Sequence, residues 1–172
     1  MKNRITAFLL MILAICTLFS VTAFAADDIS IDLSTIEKYR GMKGEMKNGV
    51  LELDIIGYEE TKESPSIFLP AMELDADTYS TVELVMKSNT ETNKEKIHKF
   101  YFQTPEYGYA EARITVLELK NSDDYVTYTF DMSQHEEWTG TVTGMFYTME
   151  GEVKGTASIK SITFKQGEKK GV

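Results

Sequence analysis

The chain of 172 residues holds one cysteine, three prolines, one tryptophan and two histidines. Its cysteine, Cys16, lies in the N-terminal apolar run, so beyond that run there is no thiol nucleophile, thiolate metal site or internal disulfide. Cationic residues are also scarce: 18 Lys and Arg stand against 27 Asp and Glu, a net charge of −9. Nucleic acids and anionic membranes attract proteins through clustered cations, so this balance disfavours both as partners. What the chain does have is apolar and aromatic character, 42% and 11% of its residues. That is too much for a disordered polymer and suits one compact domain.

Lys2 and Arg4 precede a nearly uniform apolar stretch from Ile5 to Val21, and Ala23-Phe24-Ala25 has the small-x-small form of a cleavage site. These are the parts of a secretory signal peptide over residues 1–25, with the product starting at Ala26. An acidic, non-apolar segment follows the small residues at once, which argues against a membrane anchor. Leu13-Ala14-Ile15-Cys16 loosely matches a lipobox, but Ile15 is branched where a small residue is required and the apolar run continues past Cys16. Loss of Lys2 and Arg4 takes the net charge from −9 to −11. The expected product is a secreted, extracellular domain over 26–165 with a polar tail at 166–172.

Short runs rich in β-branched and aromatic residues recur between clusters of Gly, Asn, Asp, Ser and Pro. They predict strands at 49–56, 66–69, 81–87, 98–103, 112–118, 125–131, 141–148 and 156–164. Leu51, Leu53 and Ile55 alternate with Glu52 and Asp54; Val82, Leu84 and Met86 with Glu83 and Lys87; Phe100 and Phe102 with Lys99 and Gln103. Each such strand has one dry and one wet face. No window after residue 25 sustains a helical apolar period, and only 75–80 and 133–137 suit single turns. About eight antiparallel strands in two stacked sheets, an all-β sandwich, satisfy the pattern.

Several segments resemble a known family: Gly49-Val50-Leu51; Ser64-Pro65-Ser66-Ile67 with Leu74-Asp75-Ala76-Asp77-Thr78-Tyr79; Phe100-Tyr101-Phe102; and a final strand from Gly155 to Phe164. The most distinctive is Tyr125-Val126-Thr127-Tyr128-Thr129-Phe130-Asp131-Met132-Ser133 followed by Trp138-Thr139-Gly140. Together they are similar to the galactose-binding-like jelly-roll modules attached to secreted glycoside hydrolases, a group that includes many carbohydrate-binding modules. The resemblance implies a jelly-roll β-sandwich that binds glycan or acts as a spacer, with Trp138 packed in the core. It also raises a structural calcium, although Ile159-Lys160-Ser161-Ile162 puts a cation where the family often has the Asp near that ion.

Motifs for catalysis are absent. His98 and His135 lack a nucleophile and an orienting partner, there is no G-x-S-x-G, and adjacent acids such as Glu59-Glu60 and Glu136-Glu137 are what an acidic composition produces. Asp75, Asp77, Asp123, Asp124 and Asp131 offer oxygen ligands near turns without a calcium-loop spacing, so solvated charge is the simpler reading. Aromatic residues give the better lead, because sugar rings pack their C–H faces on them while charged groups and amides bond hydroxyls. Tyr107 and Tyr109, with Glu111 and Arg113 in the same loop, are the candidate ligand contacts, with Tyr58 on another loop. A non-catalytic, secreted glycan binder is the leading expectation. A structural or protein-interaction sandwich meeting a secreted or cell-wall protein is the alternative, and a small hydrolase or lyase with two carboxylates across a groove is a third.

Overall fold

The computed structural model describes residues 27–91, 97–109, 114–150 and 153–167. The expected signal segment lies outside the described residues, as do Glu111, Arg113 and the tail from 168 onward.

Strands β1 (Ile29–Ser30), β2 (Lys38–Arg40) and β3 (Met42–Lys47) lead into β4 (Val50–Ile55). One helical turn, α1 (Tyr58–Thr61), precedes β5 (Ser66–Phe68) and β6 (Leu74–Asp75). Then come β7 (Tyr79–Glu91), β8 (Ile97–Gln103), β9 (Ile114–Glu118) and β10 (Ser122–Asp131). The remaining strands are β11 (Thr141–Val142), β12 (Gly144–Glu150) and β13 (Lys154–Gln166). The first sheet runs β10-β7-β13-β4-β3 with β1 also on β13, the second runs β2-β5-β12-β8-β9, and β6 pairs with β11. All pairings are antiparallel.

This is the β-sandwich that the alternation implied, and it agrees with the jelly roll implied by the family resemblance. Leu51, Leu53 and Ile55 of β4 and Val82, Leu84 and Met86 of β7 point inward from the first sheet, all at most 2% exposed. Phe100, Phe102, Met145, Tyr147 and Met149 meet them from the second sheet and are fully buried. Near Lys160 a bulge in β13 separates the pairs Ile159↔Met86 and Ser161↔Val85. The extra residue shifts the side-chain phase, so Ala157 and Ile159 before it and Ile162 and Phe164 after it all reach the core.

The sandwich has more strands than the eight predicted runs. The 141–148 run divides into β11 and β12, while β1, β2, β3 and β6 carry no strong sequence signal. Met42-Lys43-Gly44-Glu45-Met46-Lys47 contains no β-branched residue, and of these only Met42 is buried. Pairing with β4 makes it a strand: Asn48 (φ 53°) and Gly49 (φ 79°) form a two-residue turn, and Lys47 lies opposite Val50. Two successive positive φ values fit a turn whose twist matches a hairpin. Its charges also guard a sheet edge against pairing with other chains. The first expected turn closes with the Thr78 amide on the Asp75 carbonyl (3.2 Å), and a short 3-10 turn at Met132–Gln134 lies at the start of the second. At the C-terminal end β13 continues through Gln166, and the Gly167 amide bonds the Thr78 carbonyl (3.3 Å), so ordered pairing passes the predicted boundary at 165.

Candidate functional site

The outer face of the second sheet carries aromatic side chains where most sandwich faces carry charge. Strand register assembles them: Phe146 of β12 lies opposite Phe68 of β5 on one side and Tyr101 of β8 on the other. Because Ile67, Tyr147 and Phe100 turn into the core, alternation sends Phe68, Phe146 and Tyr101 outward, and each is half-buried. Tyr101 and Phe146 stack at 4.4 Å with 7° between planes, and Phe68 lies 5.1 Å from Phe146.

Tyr109 completes the cluster from the loop that follows β8. Its ring meets Phe146 nearly edge-on, at 5.0 Å and 69°. Gly144 makes this possible, since a Cβ there would lie 2.5 Å from the Tyr109 hydroxyl oxygen. Partial burial raises the pKa of that hydroxyl above its ordinary value, so it remains a hydrogen-bond donor at neutral pH. At 42% exposure the ring still offers surface to a ligand.

Beside the rings is a groove of about 310 Å³ lined by Arg40, Ser64, Ser66, Tyr101, Tyr109, Phe146, Thr148 and Glu150. Polar groups form its floor. Ser66 and Thr148, 1% and 2% exposed, share a hydroxyl hydrogen bond of 3.0 Å, and Thr148 also donates to the Pro65 carbonyl. Lys99 extends from the same sheet face to Glu150 at 2.6 Å, and the Tyr101 hydroxyl donates to Glu150 at 3.3 Å. Apolar rings next to hydroxyls and a held carboxylate suit a ligand with C–H faces and many hydroxyls.

No protein-family model matches the sequence, and no curated protein does. Solved structures match in fold. A mutant family 29 carbohydrate-binding module aligns over 85% of this chain and 96% of its own, with a TM-score of 0.55 and 13% identity. Another mutant of that family, complexed with mannohexaose, aligns over 84% and 94%, with a TM-score of 0.55 and 14% identity. The C-terminal family 6 module of LamC from Zobellia galactanivorans aligns over 81% and 99%, with a TM-score of 0.52 and 10% identity. The fold is that of the carbohydrate-binding modules.

The other predicted contacts lie elsewhere on this carbohydrate-binding-module fold. Tyr107, 49% exposed, lines a separate pocket of about 240 Å³ with Glu106, Glu137 and Thr139, so the two loop tyrosines serve different depressions. Tyr58 begins α1, with the Lys62 ammonium 5.8 Å from its ring. Trp138 is core: it is 1% exposed, its Nε1 donates to the Tyr79 carbonyl at 2.9 Å, and Phe102 meets it edge-on at 4.9 Å.

The candidate calcium ligands are engaged in turns or dispersed. Asp75 accepts from the Asp77 amide (3.0 Å) and the Thr78 hydroxyl (2.6 Å), while Asp77 accepts from the Thr139 hydroxyl and the Gly140 amide. Asp131 caps the turn at Met132–Gln134 through Ser133, and Asp123 and Asp124 are exposed near the start of β10. Among the described residues no three His, Cys, Asp or Glu side chains converge on one point.

Sequence reasoning missed Phe68, Tyr101 and Phe146. One signal was present: Tyr101 shares the phase of Lys99 and Gln103, the wet face of its strand.

Proposed function

We propose that the protein is secreted and binds a polysaccharide without cleaving it, using the outer face of the second sheet. The observation that carries this reading is the half-exposed ring cluster of Phe68, Tyr101, Phe146 and Tyr109 beside the polar floor of Ser66 and Thr148. Such a surface is costly to leave in water unless a ligand covers it, because exposed apolar area grouped in one patch favours association. A sugar ring fits its chemistry: the C–H face meets the aromatic edges while hydroxyls reach Glu150, Tyr109 and Arg40. The fold shared with carbohydrate-binding modules supports the same reading, as do the N-terminal signal-like segment and the lack of a catalytic motif.

Glu150 acts here as a hydrogen-bond acceptor, with Lys99 Nζ at 2.6 Å and the Tyr101 hydroxyl at 3.3 Å both directed at its carboxylate. Affinity gel electrophoresis of the purified protein through mannan, xylan, β-glucan and galactan gels tests the function. Retardation in at least one gel, reduced by Tyr109→Ala, is the expected result. Unchanged mobility in every gel, or release of sugar from any of these polymers, overturns it.

A further inference from the structure

We propose that the groove selects a largely neutral glycan carrying sparse carboxylate substituents, and that Arg40 and Lys38 hold the carboxylate. The inference rests on the glycan-binding reading above and specifies its substrate class.

Charge in the groove is arranged unevenly. On the β12–β8 side the charges are balanced, with Glu150 paired to Lys99 at 2.6 Å. On the β2 edge they are not. Lys38 Nζ lies 4.2 Å over the Phe68 ring, and the Arg40 guanidinium lies 5.1 Å from the same ring. Among the described residues no carboxylate pairs with Lys38. Among the described residues the one carboxylate in ion-pair range of Arg40 is that of Glu63, at 4.0 Å between two exposed side chains and beyond hydrogen-bond distance. Two cations thus stand over the Phe68 ring, with Arg40 also lining the groove, and the planar fork of Arg40 matches a carboxylate.

The net charge of the chain limits how many carboxylates the ligand can carry. At −9 for the full chain, and −11 once residues 1–25 are removed, the protein repels a densely charged polymer, and this repulsion acts over roughly 8–10 Å at physiological salt. A lone uronic acid on a neutral backbone gains the local attraction with little of that penalty. The ring-and-hydroxyl part of the groove then takes the neutral backbone.

The test compares glucuronoxylan with the same polymer after chemical reduction of its carboxyl groups, by affinity electrophoresis and calorimetry on the full protein. Native polymer binds about three- to tenfold more tightly than reduced polymer, the range for one partly exposed charge-assisted contact. The ratio falls towards one at about 0.5 M salt, where screening shortens to a few ångströms. It also falls towards one in the Lys38→Gln, Arg40→Gln double variant, and polygalacturonate binds less well than glucuronoxylan. A ratio of one in the unaltered protein overturns the proposal and leaves glycan binding intact. So does a ratio that survives high salt or the double substitution, or a preference for polygalacturonate. If glucuronoxylan fails to bind while another of the polymers binds, this proposal falls alone; if mannan, xylan, β-glucan, galactan and glucuronoxylan all fail, the glycan reading falls with it.

Discussion

Acidification is expected to weaken the fold through His98, a fully buried residue of β8. Its imidazole sits among aromatic rings, with Tyr128 at 4.5 Å, Phe130 at 5.2 Å and Tyr147 at 5.7 Å, all nearly edge-on. Nδ1 lies 2.9 Å from the Tyr147 hydroxyl, and Nε2 has no hydrogen-bond partner. A charged imidazolium would leave a second N–H donor unpaired in an apolar site, so burial depresses the pKa from 6.5 to about 4. Between these two values the unfolded chain binds more protons than the folded one, and stability therefore rises with pH. Above about pH 6.5 the fold is unaffected by this group, and the loss accumulates as pH falls towards 4. Linkage over that shift gives about 2 kcal/mol lost between pH 7.5 and pH 5. Urea unfolding of the native protein and a His98→Leu variant at both pH values isolates the effect, because other titrating groups are common to both. The native protein should lose about 2 kcal/mol more than the variant. Equal losses would refute the reasoning, as would an NMR titration of the folded protein placing the imidazole pKa above about 6, a measurement that needs no variant.

Tyr109→Ala should weaken polysaccharide retardation about tenfold or more while barely moving the urea midpoint; Phe146→Ala should weaken it similarly and also cost about 1–2 kcal/mol in urea unfolding, because its half-buried ring packs on Tyr101, Phe68 and Tyr109. Gly144→Ala should reduce binding through Tyr109 alone, and a Gly144→Ala, Tyr109→Ala double variant should bind no worse than Tyr109→Ala by calorimetry. Trp138→Ala removes a buried ring and leaves the Tyr79 carbonyl without its donor, for a loss of about 3–5 kcal/mol in urea unfolding. N-terminal sequencing of protein recovered from the medium should start at Ala26, and protein starting at Met1 would contradict the cleavage reading.

The sandwich was legible wherever a strand lies across the core with one face wet. In β4, β7 and β8 the alternation states which residues are buried, and Leu53, Leu84 and Phe100 are where it puts them. It fails for β3, whose residues have little preference for extended structure and become a strand because β4 pairs with them. The binding surface was harder to find for a different reason. Phe68, Tyr101 and Phe146 come from strands far apart in the chain, and only cross-strand register makes them neighbours. Phe146 is also adjacent to Tyr147, so nothing local says which ring faces out. Tyr109 could be singled out because it stands in a short loop already rich in polar groups. Its loop neighbour Tyr107 looks equivalent in sequence, and the path of the backbone separates them.

Strand β13 lies between β7 and β4, so the first sheet has no continuous centre until residues 154–166 are in place. A chain emerging N-terminus first therefore holds the β3–β4 hairpin and the β7–β10 pair as separate ribbons for most of its synthesis, each with the edge that faces β13 open. Under the export proposed above, late completion of this sheet would keep the polypeptide threadable through a narrow translocation channel, which rejects folded bodies. It also means that cutting the chain anywhere before β13 should leave no partial domain but a sticky, protease-sensitive strand.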